Sequence, residues 1–254
     1  MVAVSQQSGS PRGGSLEQMV QQVDGRPCQD TATRDRVDHA ARCRCIARVL
    51  VISIVLALAA GNALIGVATI WAKTNGPNSA RPRLPGIDNL AAVDNRLWRG
   101  AAPSREGYEA LASRGVKTII DLRAETHEGG ELPMVERLGM ELLRIPVRDG
   151  QAPSSEEVRR FLSAVSASDG RVFVHCGAGV GRSGTMAAAY LVQSGEATST
   201  EALALNLAVG PPSLEQVSFV SEMGDGSFDE PSLPVTALSR FLDAPRRLFA
   251  RLNL

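Results

Sequence analysis

The chain has 254 residues, of which 44% are hydrophobic and 21% charged, and its formal net charge is zero. This length suffices for one folded domain with appended segments. The balanced charge argues against nucleic acid as a partner, because nucleic-acid-binding proteins carry an excess of Lys and Arg. Three of the four cysteines precede the predicted domain, so their positions also argue against a disulfide framework.

Residues 1–45 are rich in Ser, Gln, Gly, Asp and Arg and have no apolar periodicity, which predicts a disordered N-terminal tail. Cys43 and Cys45, at the end of this tail, lack further ligands at the spacing that zinc sites use, so no metal is expected there. Their position next to an apolar run leaves reversible palmitoylation open.

An uncharged apolar run, residues 49–71, follows the tail and predicts a helix over residues 46–71. At a rise of ~1.5 Å per residue the run is longer than the roughly 30 Å hydrocarbon core of a bilayer, so we expect one transmembrane helix. The alternatives are a core helix, which would be unusually long and apolar, and a cleaved signal peptide, whose leader would be unusually long. Arginines are denser before the run than cations are after it. The positive-inside rule then predicts a cytoplasmic N-terminus and a domain on the other side of the membrane.

A linker rich in Pro and Asn is expected at residues 72–90, and the segment 91–223 then alternates predicted helices and strands. The predicted elements are, in chain order, a helix from Ser104 to a stop at Gly115, the strands 117–122 and 141–147, a helix from Ser154 to Ala167, the strand 171–175, and helices near 185–192, 198–208 and 213–223. This alternation predicts an α/β fold with a central, mostly parallel sheet flanked by helices. A functional site is expected at the C-terminal edge of the strands.

Residues 224–254 are predicted to form a linker and an amphipathic C-terminal tail. Apolar residues such as Leu238 and Phe241 recur between arginines, and the pattern is interrupted at residues 243–245. A basic amphipathic segment can lie on a membrane surface. We expect this one to pack on the domain instead.

The most informative stretch is HCGAGVGRSG, residues 175–184, between a predicted strand and a predicted helix. A Gly-rich loop entering a helix turns several backbone N–H groups toward one point, where the helix dipole adds partial positive charge. Such a loop binds an anion, and the same field favours the thiolate form of Cys176. Arg182 adds a planar cation suited to two oxygens of a phosphate. We therefore expect the nucleophile and the oxyanion clamp to form one unit.

The order His175-Cys176, five residues, Arg182-Ser183 resembles the HCx5R[S/T] signature of the cysteine-dependent protein tyrosine phosphatase superfamily. The stretches LWRGAAPS, GVKTIIDLR and IPVRDGQAPS are similar to landmarks of its compact dual-specificity members, so that the resemblance covers residues 95–222. It implies that Cys176 attacks phosphorus to form a phosphocysteine without a metal or other cofactor. It also implies that Ser183 eases departure of the thiolate and that His175 supports the loop from behind. The phosphate-binding residues implied are Gly177, Ala178, Gly179, Val180, Gly181 and Arg182.

The resemblance places the general acid at Asp149, in a loop that Gly150 and Pro153 would make a hinged flap. Two of these assignments have simpler alternatives. Cys176 could be an inert buried thiol, and Asp149 could be the turn residue of an Asp-Gly pair.

Three further polar residues lie near the predicted site. Gln216 could position the hydrolytic water, but Ser213-x-x-Gln216 also fits a helix capping box, which we favour. Asp121 and Arg123 are expected to be structural partners at the end of a strand.

These observations predict a membrane-anchored phosphatase with a monomeric catalytic domain that hydrolyses phosphotyrosine, phosphoserine or phosphothreonine monoesters, on a protein or on a small molecule. A phosphoinositide or inositol-phosphate phosphatase would use the same chemistry, but such relatives often carry loop lysines where this chain has Ala178 and Val180. A rhodanese-type sulfurtransferase commonly has a loop one residue shorter. A catalytically silent phosphate-binding module would not need Cys176, Arg182 and Asp149 together.

Overall fold

The computed structural model describes residues 31–75, 83–125, 131–224 and 227–243. Its contacts divide the chain into two units, Met1–Leu56 and Ala57–Leu254. The first predicted segment boundary, at residue 45, lies in the first unit, and those at residues 71, 90 and 223 lie in the second.

The first described element is one long helix, α1 (Thr31–Asn75). Within it, Arg44–Thr74 is a stretch of 31 residues that is long and apolar enough to cross a membrane, by length and composition. Apolar side chains such as Val49, Leu56 and Leu64 are exposed, unlike those of a core helix. The helix begins earlier than predicted: residues 31–45, assigned to the disordered tail from the sequence, are helical because a long helix extends readily through Ala- and Arg-rich sequence. Residues 1–30 lie outside the described part.

A five-stranded sheet forms the centre of the second unit. Its strands are β1 (Ala91–Ala92), β2 (Leu97–Ala101), β3 (Val116–Arg123), β4 (Glu141–Val147) and β5 (Arg171–Cys176), in the spatial order β1-β2-β5-β3-β4. The pairs β2–β5, β5–β3 and β3–β4 are parallel, and only the edge strand β1 runs antiparallel to its neighbour. The prediction of a mostly parallel sheet is confirmed.

The described helices of this unit are α2 (Arg105–Ser113), α3 (Leu132–Arg137), α4 (Ser155–Ala167), α5 (Gly181–Gln193), α6 (Ser199–Val209), α7 (Leu214–Ser221) and α8 (Leu233–Leu242). Capping boxes begin α4, α6 and α7, the first at the predicted Ser154–Glu157 pair. The predicted helices of the domain are thus present with boundaries that differ by a few residues at most. The sequence analysis did not predict α3 as a helix.

Two hydrophobic clusters cover the two faces of the sheet. Successive residues of β5 alternate between them, since Val174 belongs to one cluster and Phe173 to the other. Helices α4, α5 and α7 supply Phe161, Met186 and Phe219 to the first cluster. Each such fully buried side chain stabilises the fold by about 1.5–3 kcal/mol. Because β5 is central and packed on both faces, its C-terminal end is a rigid place for a functional group.

Helix α8 contacts α7, and its Ser239 is fully buried. The tail thus contacts the domain as far as residue 243, but Leu238 and Phe241 of the predicted apolar pattern are 49% and 53% exposed, so the contact is not made by burial of those side chains. Residues 244–254, which include the second half of the predicted amphipathic pattern, lie outside the described part.

Candidate active site

Cys176 is the last residue of the central strand β5, where a four-residue loop leads to α5. Its side chain is 3% exposed. The backbone N–H of Gly179 donates to its Sγ over 3.3 Å, and the Oγ of Ser183 lies 3.6 Å from the same sulfur. The predicted strand-loop-helix junction is therefore present, with the sulfur facing a backbone donor and a hydroxyl at the start of a helix.

Gly179 has a backbone angle φ of +70°, in the left-handed region. A Cβ atom at this position would lie 2.2 Å from the backbone nitrogen of Ala101 on the neighbouring strand β2. The loop can pass this close to β2 only with glycine here, because both the backbone angle and the space exclude a side chain.

Arg99 of β2 lies behind the loop and is 3% exposed. Its Nη2 donates to the carbonyl oxygens of Gly179 and Val180, at 3.0 and 3.1 Å, and its Nη1 donates to Oδ1 of Asn206, at 3.0 Å. Arg99 does not line the pocket that contains Cys176. The two carbonyl groups thus point away from that pocket, and the sequence analysis missed the residue that holds them there.

Arg182 lies in the first turn of α5 and is 3% exposed. Its two terminal nitrogens donate to the two carboxylate oxygens of Glu125, at 2.8 and 3.0 Å, and Nη1 also donates to the carbonyl oxygen of Val147, at 3.1 Å. Nη2 lies 3.3 Å from Oδ1 of Asp149. The structure therefore brings Arg182 and the predicted acid together, and it adds Glu125 as a two-point partner of the guanidinium.

Asp149 begins a loop that lies against the first turn of α7. Its side chain is 60% exposed, and it lines the same pocket as Cys176. Three successive residues of this loop are held by α7: Ser213 Oγ donates to the carbonyl of Gly150 at 2.8 Å, Gln216 Nε2 to that of Gln151 at 3.1 Å, and Ala152 N–H to Oε1 of Glu215 at 3.1 Å. The loop is pinned along its length, which differs from the expected hinged flap.

Gln216 is the partner of Ser213 in the capping box of α7, as the sequence predicts. It also lines the pocket. Its two polar groups are both engaged, because Oε1 accepts from the Ser213 N–H and Nε2 donates to Gln151.

His175 is fully buried beside the loop, and its ring stacks on Phe173. Burial lowers the pKa of His175 to about 4, although the charge of Asp121, whose Oδ1 lies 3.8 Å from Nδ1, opposes this shift. The imidazole is thus neutral at neutral pH, which suits a support better than an acid or base.

Asp121 is held by Arg123, whose Nε donates to Oδ1 at 2.9 Å. Arg123 also pairs with Glu131, so the two residues are structural partners at the end of β3, as expected. The donor atoms of Asp121, Glu131 and His175 lie within 4.8 Å of one another, a spacing that a metal ion could use. Because the guanidinium of Arg123 already bridges both carboxylates, this cluster is balanced by a cation of the chain itself.

The pocket over Cys176 is lined by the Asp149 loop, the Cys176 loop, the start of α7 and the end of α8. Among its described lining residues the charged side chains are Asp149 and Asp243. Asp243 directly follows α8, so the C-terminal segment reaches the site. The sequence analysis missed this because the amphipathic pattern gives no indication of where the end of that helix lies.

A family model described as "DSP-PTPase phosphatase fused to NAD+ Kinase" matches residues 86–222, more than half of the chain. These residues include β2 and the Cys176 loop, but not α8.

Curated relatives match this same region. The chain is 34% identical over 123 residues to "Probable NAD kinase 2, chloroplastic" of Oryza sativa subsp. japonica (43% of this chain, 12% of that protein). It is 30% identical over 124 residues to "Dual specificity protein phosphatase 2" of Mus musculus (46% of this chain, 37% of that protein). It is 35% identical over 97 residues to "Dual specificity protein phosphatase CDC14A" of Mus musculus (38% and 16%). The chain thus spans less than half the length of these relatives.

Solved structures are similar to it at lower identity. TpbA of P. aeruginosa is 22% identical, with 68% of this chain and 98% of that chain covered and a TM-score of 0.44. The core catalytic domain of the PP-IP phosphatase SIW14 from S. cerevisiae is 17% identical, with 65% and 97% covered and a TM-score of 0.48.

Proposed function

Because the chain belongs to the cysteine-dependent protein tyrosine phosphatase superfamily, dual-specificity type, we propose that it is a phosphatase and that it hydrolyses phosphotyrosine, phosphoserine or phosphothreonine monoesters through a phosphocysteine intermediate. The observation that carries this proposal is the position of Cys176. Its sulfur is buried at the end of a central strand, beside the Gly179 N–H and in one pocket with Asp149.

In the first step the thiolate of Cys176 attacks phosphorus while the bond from phosphorus to the leaving oxygen breaks. The amides of residues 177–181 and the guanidinium of Arg182 hold the three non-bridging oxygens, which supplies positioning and charge stabilisation. Asp149 donates its proton to the leaving oxygen. Proximity supports this step, since Oδ1 of Asp149 lies 3.3 Å from Nη2 of Arg182, the residue proposed to bind the phosphate.

In the second step water attacks the phosphocysteine, and the sulfur leaves as a thiolate. Asp149, now a carboxylate, accepts the proton of this water, so that inorganic phosphate is released and the enzyme is restored. Ser183 stabilises the departing thiolate by a hydrogen bond, a role supported by the 3.6 Å between its Oγ and Sγ. His175 stays neutral behind the loop and supports the conformation of the loop.

The charges of the pocket favour a substrate that carries one phosphate at this position. Asp243 supplies a carboxylate to the pocket, and the loop positions 178 and 180 are Ala and Val. Further phosphates on an inositol ring would lie near this carboxylate and find no lysine in the loop. A phosphoinositide or inositol-phosphate phosphatase is therefore the second candidate, with the same chemistry and a less suitable charge pattern.

We further propose that α1 anchors the enzyme in a membrane by a single pass through the apolar run at residues 49–71, with residues 72–90 as the linker to the catalytic domain at residues 91–223. The length, composition and exposure of this helix support the anchor. The excess of arginine before the apolar run supports a cytoplasmic N-terminus and a catalytic domain on the opposite side.

Purified full-length protein should test the reaction and the substrate class together. We expect metal-independent release of phosphate from an aryl phosphate in the presence of EDTA, and faster turnover of a phosphotyrosyl peptide than of inositol hexakisphosphate or phosphoinositide vesicles. The Cys176→Ser protein should bind vanadate but release no phosphate, because the loop amides and Arg182 remain. Turnover by this variant would exclude the mechanism, and a preference for the inositol substrates would establish the second candidate.

A further inference from the structure

Glu215 is a carboxylate with an unusual environment. It lies in the first turn of α7, where acidic residues commonly face solvent and interact with the helix dipole, yet it is 3% exposed. The capping of α7 does not need it, because Ser213 and Gln216 already form the capping box. Burying a carboxylate is costly unless it is paired and hydrogen-bonded, so its contacts should indicate what it holds together.

Those contacts join α8 to the Asp149 loop. One carboxylate oxygen of Glu215 accepts from the Ala152 N–H at 3.1 Å, and the other lies 3.5 Å from Nε of Arg240 on α8. In addition, the backbone N–H of Glu215 donates to Oγ of Ser239, at 3.0 Å, and Ser239 is fully buried. Glu215 thus contacts two residues of α8 on one side, through a hydrogen bond to Ser239 and an ion pair with the half-exposed Arg240 that is too loose to be a hydrogen bond, and on the other side it accepts from the loop.

The contact with Ala152 differs from the other two that pin the loop. Ser213 and Gln216, which hold Gly150 and Gln151, are fixed by their own capping box on α7. Only the contact through Glu215 depends on a cation from α8. If Arg240 were removed, the buried carboxylate would lose its cation and keep a single backbone donor, so it would turn toward solvent. This change would loosen Ala152, three residues after Asp149.

The position of α8 relative to the pocket also links this helix to the active site. Asp243, the residue after α8, lines the pocket together with Cys176 and Asp149. Helix α8 lies outside residues 86–222, to which the family model extends. A segment beyond the family match therefore reaches the site at two places, the pocket wall and the Asp149 loop.

We propose that α8 is a positioning element of the active site, which holds the Asp149 loop in its proton-donating position through Arg240, Ser239 and Glu215. The inference rests on the proposed role of Asp149 as general acid. Misplacement of a reacting group by about 1 Å can cost about 10²-fold in rate, so a loosened loop would slow proton transfer while leaving Cys176 and Arg182 in place.

The test compares leaving groups in the full-length enzyme. With an alkyl or tyrosyl phosphate, whose leaving oxygen needs a proton, Arg240→Gln should lower kcat/KM about tenfold, a fraction of the 10²–10⁴-fold that general acid catalysis supplies. With a phosphate ester of a strongly acidic phenol, kcat/KM should change less than about twofold, because this parameter reports only the step in which the leaving group departs, and the inhibition constant of vanadate should stay the same. The basic limb of the pH profile should flatten as it does in Asp149→Asn. Arg240→Lys, which keeps the charge, should restore most of the activity.

Arg160→Gln is the matched control, because Arg160 is an exposed arginine on α4 and its loss should leave all these values unchanged. If Arg240→Gln proves poorly folded, Ser239→Ala provides the milder change and should show the same dependence on the leaving group. Equal losses with both substrates, or no loss with either, would overturn the proposal.

The same measurements distinguish a failure of the proposed function from a failure of the inference about α8. If the unaltered enzyme releases no phosphate, or if Asp149→Asn shows no dependence on the leaving group, the phosphatase mechanism or the acid assignment is wrong, and the role of α8 is overturned with it. If Asp149→Asn behaves as expected and Arg240→Gln does not, only the inference about α8 fails.

Discussion

Arg182 and Glu125 form a two-point ion pair in which both terminal nitrogens of the guanidinium donate to the carboxylate, at 2.8 and 3.0 Å. The arginine side chain is 3% exposed and the glutamate side chain 47% exposed, so the glutamate covers the buried guanidinium on its solvent side. A planar guanidinium binds a carboxylate and two phosphate oxygens with the same geometry. Under the proposed mechanism, Glu125 and the substrate phosphate compete for Arg182.

The first prediction concerns this competition. Glu125→Gln removes a negative charge next to the anion site and weakens a partner of Arg182, so we expect vanadate and phosphate to inhibit several-fold more tightly. Competitive inhibition constants measured at low and high salt check this, and the gain should shrink at high salt because the pair is half exposed. Weaker inhibition in the variant would mean that Glu125 holds Arg182 in its binding orientation instead.

The second prediction concerns Arg99, which directs the carbonyl groups of Gly179 and Val180 away from the pocket. Arg99→Leu should let these peptide groups rotate and so remove N–H donors from the phosphate. Loss of one oxyanion donor costs about 10²–10³-fold in kcat, and we expect a loss of this size for all leaving groups alike, with weaker vanadate binding.

Arg96→Leu is the control for Arg99, because Arg96 also donates to backbone carbonyls, those of Val165 and Ser168, but away from the site. A comparable loss of activity in both variants, at comparable thermal stability, would show that Arg99 serves only the general stability of the fold.

The third prediction concerns pH and stability. Burial lowers the pKa of His175 to about 4, whereas a histidine in the unfolded chain has a pKa of about 6.5. Between these values the unfolded chain binds more protons than the folded one, so the stability present at neutral pH is lost as the pH falls from about 6.5 to about 4. The free energy of unfolding should drop by roughly 3 kcal/mol over this window.

The protein with His175→Asn checks this assignment in denaturant titrations at pH 7.5, 6 and 5. It should be less stable than the unaltered protein at pH 7.5 and depend less on pH, while the other histidines contribute equally to both. Asp121 affects stability over a different pH range. Burial raises the pKa of its carboxyl group, but the hydrogen bonds from Arg123 outweigh burial and lower it, so the contribution of Asp121 to stability is lost only at still lower pH. Parallel pH profiles for the two proteins would contradict the role of His175.

Much of this site follows from local sequence. The strand-loop-helix junction, the capping boxes and the spacing from Cys176 to Arg182 are set by neighbouring residues, and the structure has them where the sequence predicts. The contacts that the sequence analysis missed join distant segments. Arg99 meets Gly179 only because β2 pairs with β5, and Glu215 meets Arg240 across two helices.

Helix α3 was missed for a different reason. It has six residues, too few for an amphipathic pattern, and a proline in its first turn. The Asp149 loop was expected to be a flap from its Gly and Pro residues, but a flap also depends on what holds the loop, and those partners come from α7.

The fourth prediction concerns the membrane. Because Arg44–Thr74 is long and apolar enough to cross a bilayer, the full-length protein should stay with membranes after a carbonate wash. A shortened chain beginning at Pro85 should be soluble and keep full activity. Release of the full-length protein by the wash would contradict the anchor. An alkaline phosphatase fused after residue 90 should be active, and an inactive fusion would reverse the proposed orientation.

The last prediction concerns Asp149, whose Oδ1 lies 3.3 Å from Arg182 in the pocket of Cys176. Asp149→Asn removes the proton donor and leaves the nucleophile and the clamp, so its cost must depend on how strongly the leaving group needs a proton. An alkyl or tyrosyl phosphate should lose most of the 10²–10⁴-fold that general acid catalysis contributes, and an ester of a very acidic phenol much less. The basic limb of the kcat/KM profile, which reports loss of the acid's proton, should flatten. Equal losses with an unchanged basic limb would leave Asp149 as a turn residue, and the donor would then be sought among Glu125, Glu131 and Glu128, the last of which lies outside the described residues.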